Sequence, residues 1–244
     1  FRNQFIAAQQ EALANFNCAD VYLEKMIVNP RHIEVQIMGD QHGNYVHLGE
    51  RDCSIQRRRQ KLIEEAPSPI ITPKMRKEMG LAATSLAREA GYYSVGTVEF
   101  LLDEDHNFYF MEMNTRIQVE HTVTEELTGV DLVKEQLLIA MGKKLSVTQE
   151  EIDFQGHVME FRINAEDFEH NFMPSPGQLE YYVVPGGPNI RIDSACYSGY
   201  HIPPYYDSLI AKLIVKGKTR DEVIAIAKRA LQEFHISGVK STIP

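Results

Sequence analysis

In the run Glu112-Met113-Asn114-Thr115-Arg116-Ile117-Gln118-Val119-Glu120-His121, acid, amide and guanidinium side chains recur at every second position. Read as an extended segment, it turns Glu112, Asn114, Arg116, Gln118 and Glu120 to one face and Met113, Thr115, Ile117 and Val119 to the other. Upstream, Val98, Phe100 and Leu102 alternate with Thr97, Glu99 and Leu101. The stretch Asp103-Glu104-Asp105-His106-Asn107 then breaks the pattern and Phe108 to Met113 resumes it, the outline of a β-hairpin. Pairing the two strands would bring Glu99 beside Glu112. Two carboxylates and the Asn114 amide form a hard oxygen set suited to Mg²⁺ held largely through substrate phosphates, and a cation between them relieves the repulsion of two close carboxylates. A solvated strand face accounts for any one of these residues, but it does not call for acid, amide, guanidinium, amide and acid in strict register.

A second dense stretch is Gln56-Arg57-Arg58-Arg59-Gln60-Lys61, beside Glu50, Arg51 and Asp52. Such a run is either a solvated face with surface ion pairs of little worth, or a cluster that meets an anionic substrate such as a phosphate or carboxylate. Both readings stand. By themselves Glu24-Lys25-Met26-Ile27, His32 and Gln56 carry no distinct chemical signal.

These residues need elements to hold them. Phe5, Ala8, Ala12, Leu13 and Phe16 fall at helical spacing over residues 1–16. Val21–Val28, Ile33–Met38 and Tyr45–Leu48 read as strands of an antiparallel meander, with turns at Asn29-Pro30-Arg31 and residues 39–44. Thr72 before Pro73 caps a helix whose stripe is Met75, Met79, Ala82, Ala83 and Leu86, closed by Gly91. Asp131 caps another, lined by Val133, Leu137, Ala140 and Met141 and stopped by Gly142. Residues 153–156 form the best linker. Beyond it, His157–Asn164 alternates with Val158, Glu160, Arg162 and Asn164 on one face. Strands follow around 178–184, 189–193 and 209–215, and Thr219 opens a last helix that buries Val223, Ile226, Ala227, Ala230, Leu231 and Phe234. The expectation is an α+β fold in both halves, antiparallel sheets with helices on one side.

With 244 residues, 43% hydrophobic and 24% charged, the chain can bury a substantial core. Its net charge of −9 argues against a broad nucleic-acid-binding surface. Cys18, Cys53 and Cys196 follow no metal or disulfide spacing and read as reduced thiols of a cytoplasmic protein. The apolar runs fall well short of the about 20 residues that span a bilayer, so no membrane partner is expected.

The run from Glu112 to His121 closely resembles the signature of biotin carboxylases, members of the ATP-grasp superfamily. Val21-Tyr22-Leu23-Glu24-Lys25, the stretch Gly49 to Arg58, and Phe161-Arg162-Ile163-Asn164-Ala165-Glu166-Asp167 are similar to the same family. The resemblance implies that ATP and bicarbonate give carboxyphosphate, whose carboxyl group passes to biotin on a carrier protein. It implies Glu99, Glu112 and Asn114 as ligands of Mg²⁺ (or Mn²⁺), and Glu24, Lys25, Met26, Ile27, His32, Gln56, Arg59 and Leu101 as ATP contacts. Lys61, Arg116, Gln118, the Val119 backbone and Glu120 would seat bicarbonate, with Glu120 the base and Arg162 facing biotin. Arg116 would neutralise the anion that Glu120 creates. Arg59 stands where best-known members carry His. The family's glycine-rich phosphate loop has no counterpart here, so these residues are expected to be a fragment: the second half of the ATP-grasp domain at 1–153 and an incomplete C-terminal domain at 154–244.

The implied partners are a biotin carboxyl carrier protein or domain, a carboxyltransferase component and a second copy in a homodimer. The implied parent is a biotin-dependent carboxylase such as an acetyl-CoA carboxylase of fatty acid biosynthesis; the acyl-CoA or keto-acid acceptor is not encoded in these residues. Alternatives are another ATP-grasp carboxylate–amine ligase and, for these residues alone, a non-catalytic nucleotide-binding or assembly module.

Overall fold

A computed structural model describes residues 1–244, which divide into two units, Phe1–Pro30 and Arg31–Pro244. The first holds α1 (Arg2–Phe16), ended by Asn17 in the left-handed conformation, whose N–H donates to the Leu13 carbonyl. No α1 residue is buried, so the helix forms where its periodicity placed it but the expected packed face does not. Residues 21–28 form no strand. A β-prone run becomes a strand only when a neighbour takes up its backbone hydrogen bonds, and none pairs with this one.

The second unit runs β1 (Arg31–Gly39), β2 (Tyr45–Arg57), β3 (Gln60–Ala66), α2 (Pro73–Glu89), β4 (Ser94–Leu102), β5 (Phe108–Asn114), α3 (His121–Thr128), α4 (Leu132–Ala140) and β6 (His157–Asn164). Next come the short strands β7 (Glu166–Asp167), β8 (Met173–Pro174), β9 (Gly177–Gln178) and β10 (Tyr181–Val183). The chain continues through β11 (Ile190–Asp193), β12 (His201–Ile202), β13 (Leu209–Gly217), α5 (Arg220–Glu233) and β14 (His235–Ser237). One eight-stranded sheet, ordered β11-β13-β6-β3-β2-β1-β4-β5 with every pairing antiparallel, organises the unit. Strands from both sides of residue 153 therefore join one sheet, where separate sheets were expected. The short strands form two-stranded pairs beside it.

The helices cover both faces, correcting the expectation of one. On one face α2 packs over Ile33, Val35, Ile37, Val98 and Phe100, and α5 over Met159, Leu213 and Val215. On the other, α3 covers Ala66, Val158 and Ile214, and α4 meets Met38, Val46, Leu48 and Val95. Covering both faces explains why β1 is buried almost continuously from Ile33 to Gly39. It also means that the polar side chains of the second face sit under helices rather than in water.

Two stripes differ from expectation. The buried residues of α2 are Met79, Gly80, Ala83, Thr84 and Ala87, while Ala82 and Leu86 are exposed. Close approach selects small residues here: a Cβ on Gly80 would stand 2.4 Å from the His47 ring. In α4 the buried residues are Leu132, Glu135 and Ile139, and Val133, Leu137 and Met141 face outward. Apolar residues occupy more than one side of this helix, and packing chooses the side whose Glu135 accepts from the Ser146 N–H and hydroxyl. The caps at Thr72, Asp131 and Thr219 form as expected. No helix is long and apolar enough to cross a membrane.

Candidate active site

The hairpin forms as its alternation predicts: β4 and β5 pair with Glu99 directly opposite Glu112. The Asn114 amide nitrogen donates to one oxygen of each, 3.0 Å to Glu99 and 3.2 Å to Glu112. Both carboxylates therefore converge on one point beside Asn114. Turning the amide over, an exchange of its two ends, would present its oxygen there instead. The three residues thus fit a small, hard divalent cation.

The strand ends at Asn114, and residues 115–120 bend and turn into α3. Strict alternation therefore fails past Asn114, and with it the expected shared face for the five polar residues. Gln118 and Glu120 turn inward and are buried. Arg116 is exposed, and its guanidinium donates to the Ile117 carbonyl at 3.2 Å. The expected Arg116–Glu120 neutralisation is not formed: Lys61 and Arg162 take that place. Lys61 Nζ lies 2.6 Å from one Glu120 oxygen, and Arg162 Nη2 2.9 Å from the other.

Lys61 is the hub. Besides Glu120 it meets Glu34 at 2.6 Å and Glu99 at 3.1 Å, linking the hairpin acid Glu99 to buried Glu120. Burial opposes its charge, but Glu34 foremost, with Glu120, outweighs burial and holds the ammonium well above its usual range. It reaches this position because Arg58 and Arg59 form a two-residue hairpin turn, both at positive φ, between Arg57↔Gln60 and Gln56↔Lys61. The basic run is thereby divided. Lys61 points into the site, Arg57 and Arg58 bond to Asn171, and Arg59 is exposed at the turn.

His32 lies opposite Leu101 in the β1–β4 pairing. Its Nε2 is 2.9 Å from Glu99, and its Nδ1 is 3.0 Å from the Gln56 amide nitrogen. His32, Gln56 and Leu101 thus gather at one end of the acidic cluster. Glu24, Lys25, Met26 and Ile27 lie in irregular backbone of the first unit. Val119 accepts a 2.6 Å hydrogen bond at its carbonyl from Lys212.

Glu34 and Arg51 were not singled out by sequence reasoning, although they form the floor of the site. Arg51 is fully buried and donates to Glu34 (2.6 Å), Gln36 (2.7 Å), Thr124 (2.8 Å), Gln118 (3.2 Å) and Thr97 (3.3 Å). Gln118 in turn donates to Glu99 at 2.7 Å. Burial pushes Glu34 toward protonation, but Arg51 and Lys61 outweigh it and hold its carboxyl down at about 2. The signal was present: His32, Glu34 and Gln36 alternate along β1 as Glu99 and Thr97 do along β4.

Residues 1–148 match the family described as the carbamoyl-phosphate synthase L chain ATP binding domain, and residues 160–244 match the biotin carboxylase C-terminal domain. The chain is 57% identical to biotin carboxylase 1 of Bacillus subtilis, over 97% of its own length and 53% of that protein's. It is 58% identical to a biotin carboxylase of Nostoc, over 100% of its own length and 54% of the relative's. Among solved structures, the biotin carboxylase domain of 2-oxoglutarate carboxylase from Hydrogenobacter thermophilus, in complex with MgADP, ADP and bicarbonate, matches with a TM-score of 0.94. That match is at 54% identity and covers 99% of this chain and 53% of that one. The chain spans about half the length of the curated relatives it matches. Sequence and fold agree, and the chain belongs to the biotin carboxylase family, running from its ATP-binding domain into its C-terminal domain.

Proposed function

We propose that the protein containing these residues carboxylates biotin at the expense of ATP, with bicarbonate as the carbon source and carboxyphosphate as the intermediate. The observation that carries the reading is the Glu120 carboxylate, buried with one oxygen on Lys61 and the other on Arg162, one lysine away from Glu99. A base used to deprotonate bicarbonate must accept a proton beside another anion, and flanking cations hold both negative charges in place without reorganisation.

In this reading Glu99, Glu112 and Asn114 hold Mg²⁺, which when bound supplies neutralising charge to the ATP phosphates. Lys61, Gln118 and the Val119 backbone border the bicarbonate position. Arg116, exposed and tied to no acid, is the cation free to meet the incoming anion. Arg162 stays charged at any working pH and faces the biotin side, where it stabilises the enolate formed when N1 gives its proton to the phosphate that carboxyphosphate releases with CO₂. His32, Gln56, Leu101 and Arg59 border the nucleotide position, and likeness to the family assigns nucleotide contact to Glu24, Lys25, Met26 and Ile27 as well. The domain boundary at 153/154 falls between the two family matches, and a functional division there belongs to the same reading. So do a homodimer, a biotin carrier, a carboxyltransferase partner, a cytoplasmic setting and an acetyl-CoA carboxylase parent.

The test is ATP hydrolysis by the full-length enzyme with and without bicarbonate and free biotin. Turnover should require both, and turnover indifferent to biotin overturns the reading. Glu120→Gln should cost about 10²–10⁴-fold in kcat while leaving Mg-ATP affinity within a few-fold. Equal losses in both would remove Glu120 as the base.

A further inference from the structure

Beneath Arg162 the sheet holds two acids that the mechanism does not use. Glu64 on β3 and Glu160 on β6 are direct cross-strand partners, and neither is exposed to solvent. Like charges so placed repel, and burial removes the water that would screen them. Each carboxylate also has one buried oxygen with no hydrogen-bond partner, Oε2 of Glu64 and Oε1 of Glu160. An ionised carboxylate only accepts, so two ionised neighbours leave both oxygens unsatisfied. A single proton turns one into a donor and can satisfy both at once.

The charges around the pair lead to the same count. Facing it are Arg162 from β6, Lys212 from β13, Glu120 from the turn before α3, and Cys53 from β2, whose thiol burial holds protonated. Lys61 is committed to Glu34, Glu99 and Glu120, and Asp193 of β11 lies 3.8 Å from Lys212. Across the connected network the five carboxylates Glu34, Glu99, Glu120, Glu64 and Glu160 therefore face the four cations Arg51, Lys61, Arg162 and Lys212. Burial first, then Glu160 across the strand, pushes Glu64 well above the usual carboxylate range, and burial pushes Glu160 up to about 7.

Each acid holds a different part of the site. Glu64 accepts from Arg162 Nε at 2.7 Å, while the same guanidinium reaches Glu120 through Nη2. Glu160 accepts from the Thr122 hydroxyl and lies 3.7 Å from Lys212, whose ammonium also holds the Val119 carbonyl.

We propose that Glu64 and Glu160 share one proton, and that this singly charged pair positions Arg162 on one side and the 119–122 turn carrying Glu120 on the other. Its part in turnover rests on the biotin-carboxylating reading; the shared proton does not. Loss of that proton leaves two adjacent buried anions that compete with Glu120 for Arg162, so the pair sets an alkaline limit on the active arrangement.

Infrared spectroscopy of the full-length enzyme, with ¹³C-labelled glutamate side chains, reads the proton directly at neutral pH. The wild type should show one protonated glutamic acid band, absent from both Glu64→Gln and Glu160→Gln. No band in the wild type overturns the proposal without recourse to any variant. Loss in only one variant assigns the proton to that carboxyl alone and overturns sharing. The second readout is the pH profile of biotin-dependent kcat/KM. Glu160→Gln should lose the alkaline fall seen in the wild type, whereas a uniformly lowered profile of unchanged shape would mark Glu160 as structural only. An enzyme that shows the infrared band but no biotin-dependent turnover would sink the functional reading and leave the shared proton standing.

Discussion

Arg51 and Glu160 carry opposite lessons about a buried charge. Arg51 is matched by Glu34, and that pair is surrounded by hydroxyl and amide partners. Its cost in desolvation is offset only while every partner stays. Arg51→Met should destabilise the fold by about 3–5 kcal/mol, because it leaves buried Glu34 with Lys61 as its one cation and takes the donor from Gln36, Thr97, Gln118 and Thr124; denaturant unfolding measures this. The Glu34 carboxyl sits at about 2 in the fold against an ordinary 4.5. Its ionised form therefore adds stability that is complete above 4.5 and drains away as pH falls toward 2. Glu160 runs the other way. Raised to about 7, it favours the fold while protonated, and that contribution is lost as pH rises from 4.5 through about 7. Over that window, wild-type stability relative to Glu160→Gln should fall with rising pH. A flat difference would show that Glu160 does not hold a proton in the native state.

Strands and turns decide which of these residues meet. The hairpin of β2 and β3 closes on Arg58 and Arg59 in a backbone region that favours Asn and Gly. Arg59→Gly should relieve about 1 kcal/mol of strain and raise the melting temperature. If Arg59 serves the nucleotide, the same change raises the KM for ATP, so the two readouts separate its backbone from its guanidinium. Along β2, Gly49 at φ 80° lies against Phe154, and a Cβ there would stand 2.2 Å from the ring. Gly49→Ala should therefore cost about 2 kcal/mol or more by thermal unfolding, since neither the backbone nor the packed ring can give way cheaply.

At the scale of the molecule, the sheet ignores the division suggested by the linker at 153–156. β6 supplies Arg162 and Glu160 to a cluster whose other members, Lys61, Glu99 and Glu120, come from earlier in the chain, and it pairs directly with β3. Ending the chain at residue 153 would strip β6, β11 and β13 from the sheet and bare the edge of β3. Such a piece should aggregate or lose native circular dichroism. A monomeric, cooperatively unfolding product would show that the first five strands suffice.

Period and local chemistry determined much by themselves. The Glu99–Glu112–Asn114 convergence, the face shared by Glu160 and Arg162, and the three helix caps are set within a hairpin, a strand or a single turn. What tertiary structure decided depends on contacts distant in sequence. These include the bend after Asn114 that turns Arg116 out and Glu120 in, the buried sides of α2 and α4, and the merging of two expected sheets into one. Above all it brought Lys61, Glu120 and Arg162 together. Alternation fixes which way a side chain points along its own strand, but the partner it meets depends on which strands lie side by side, and backbone pairing across the whole sheet selects that.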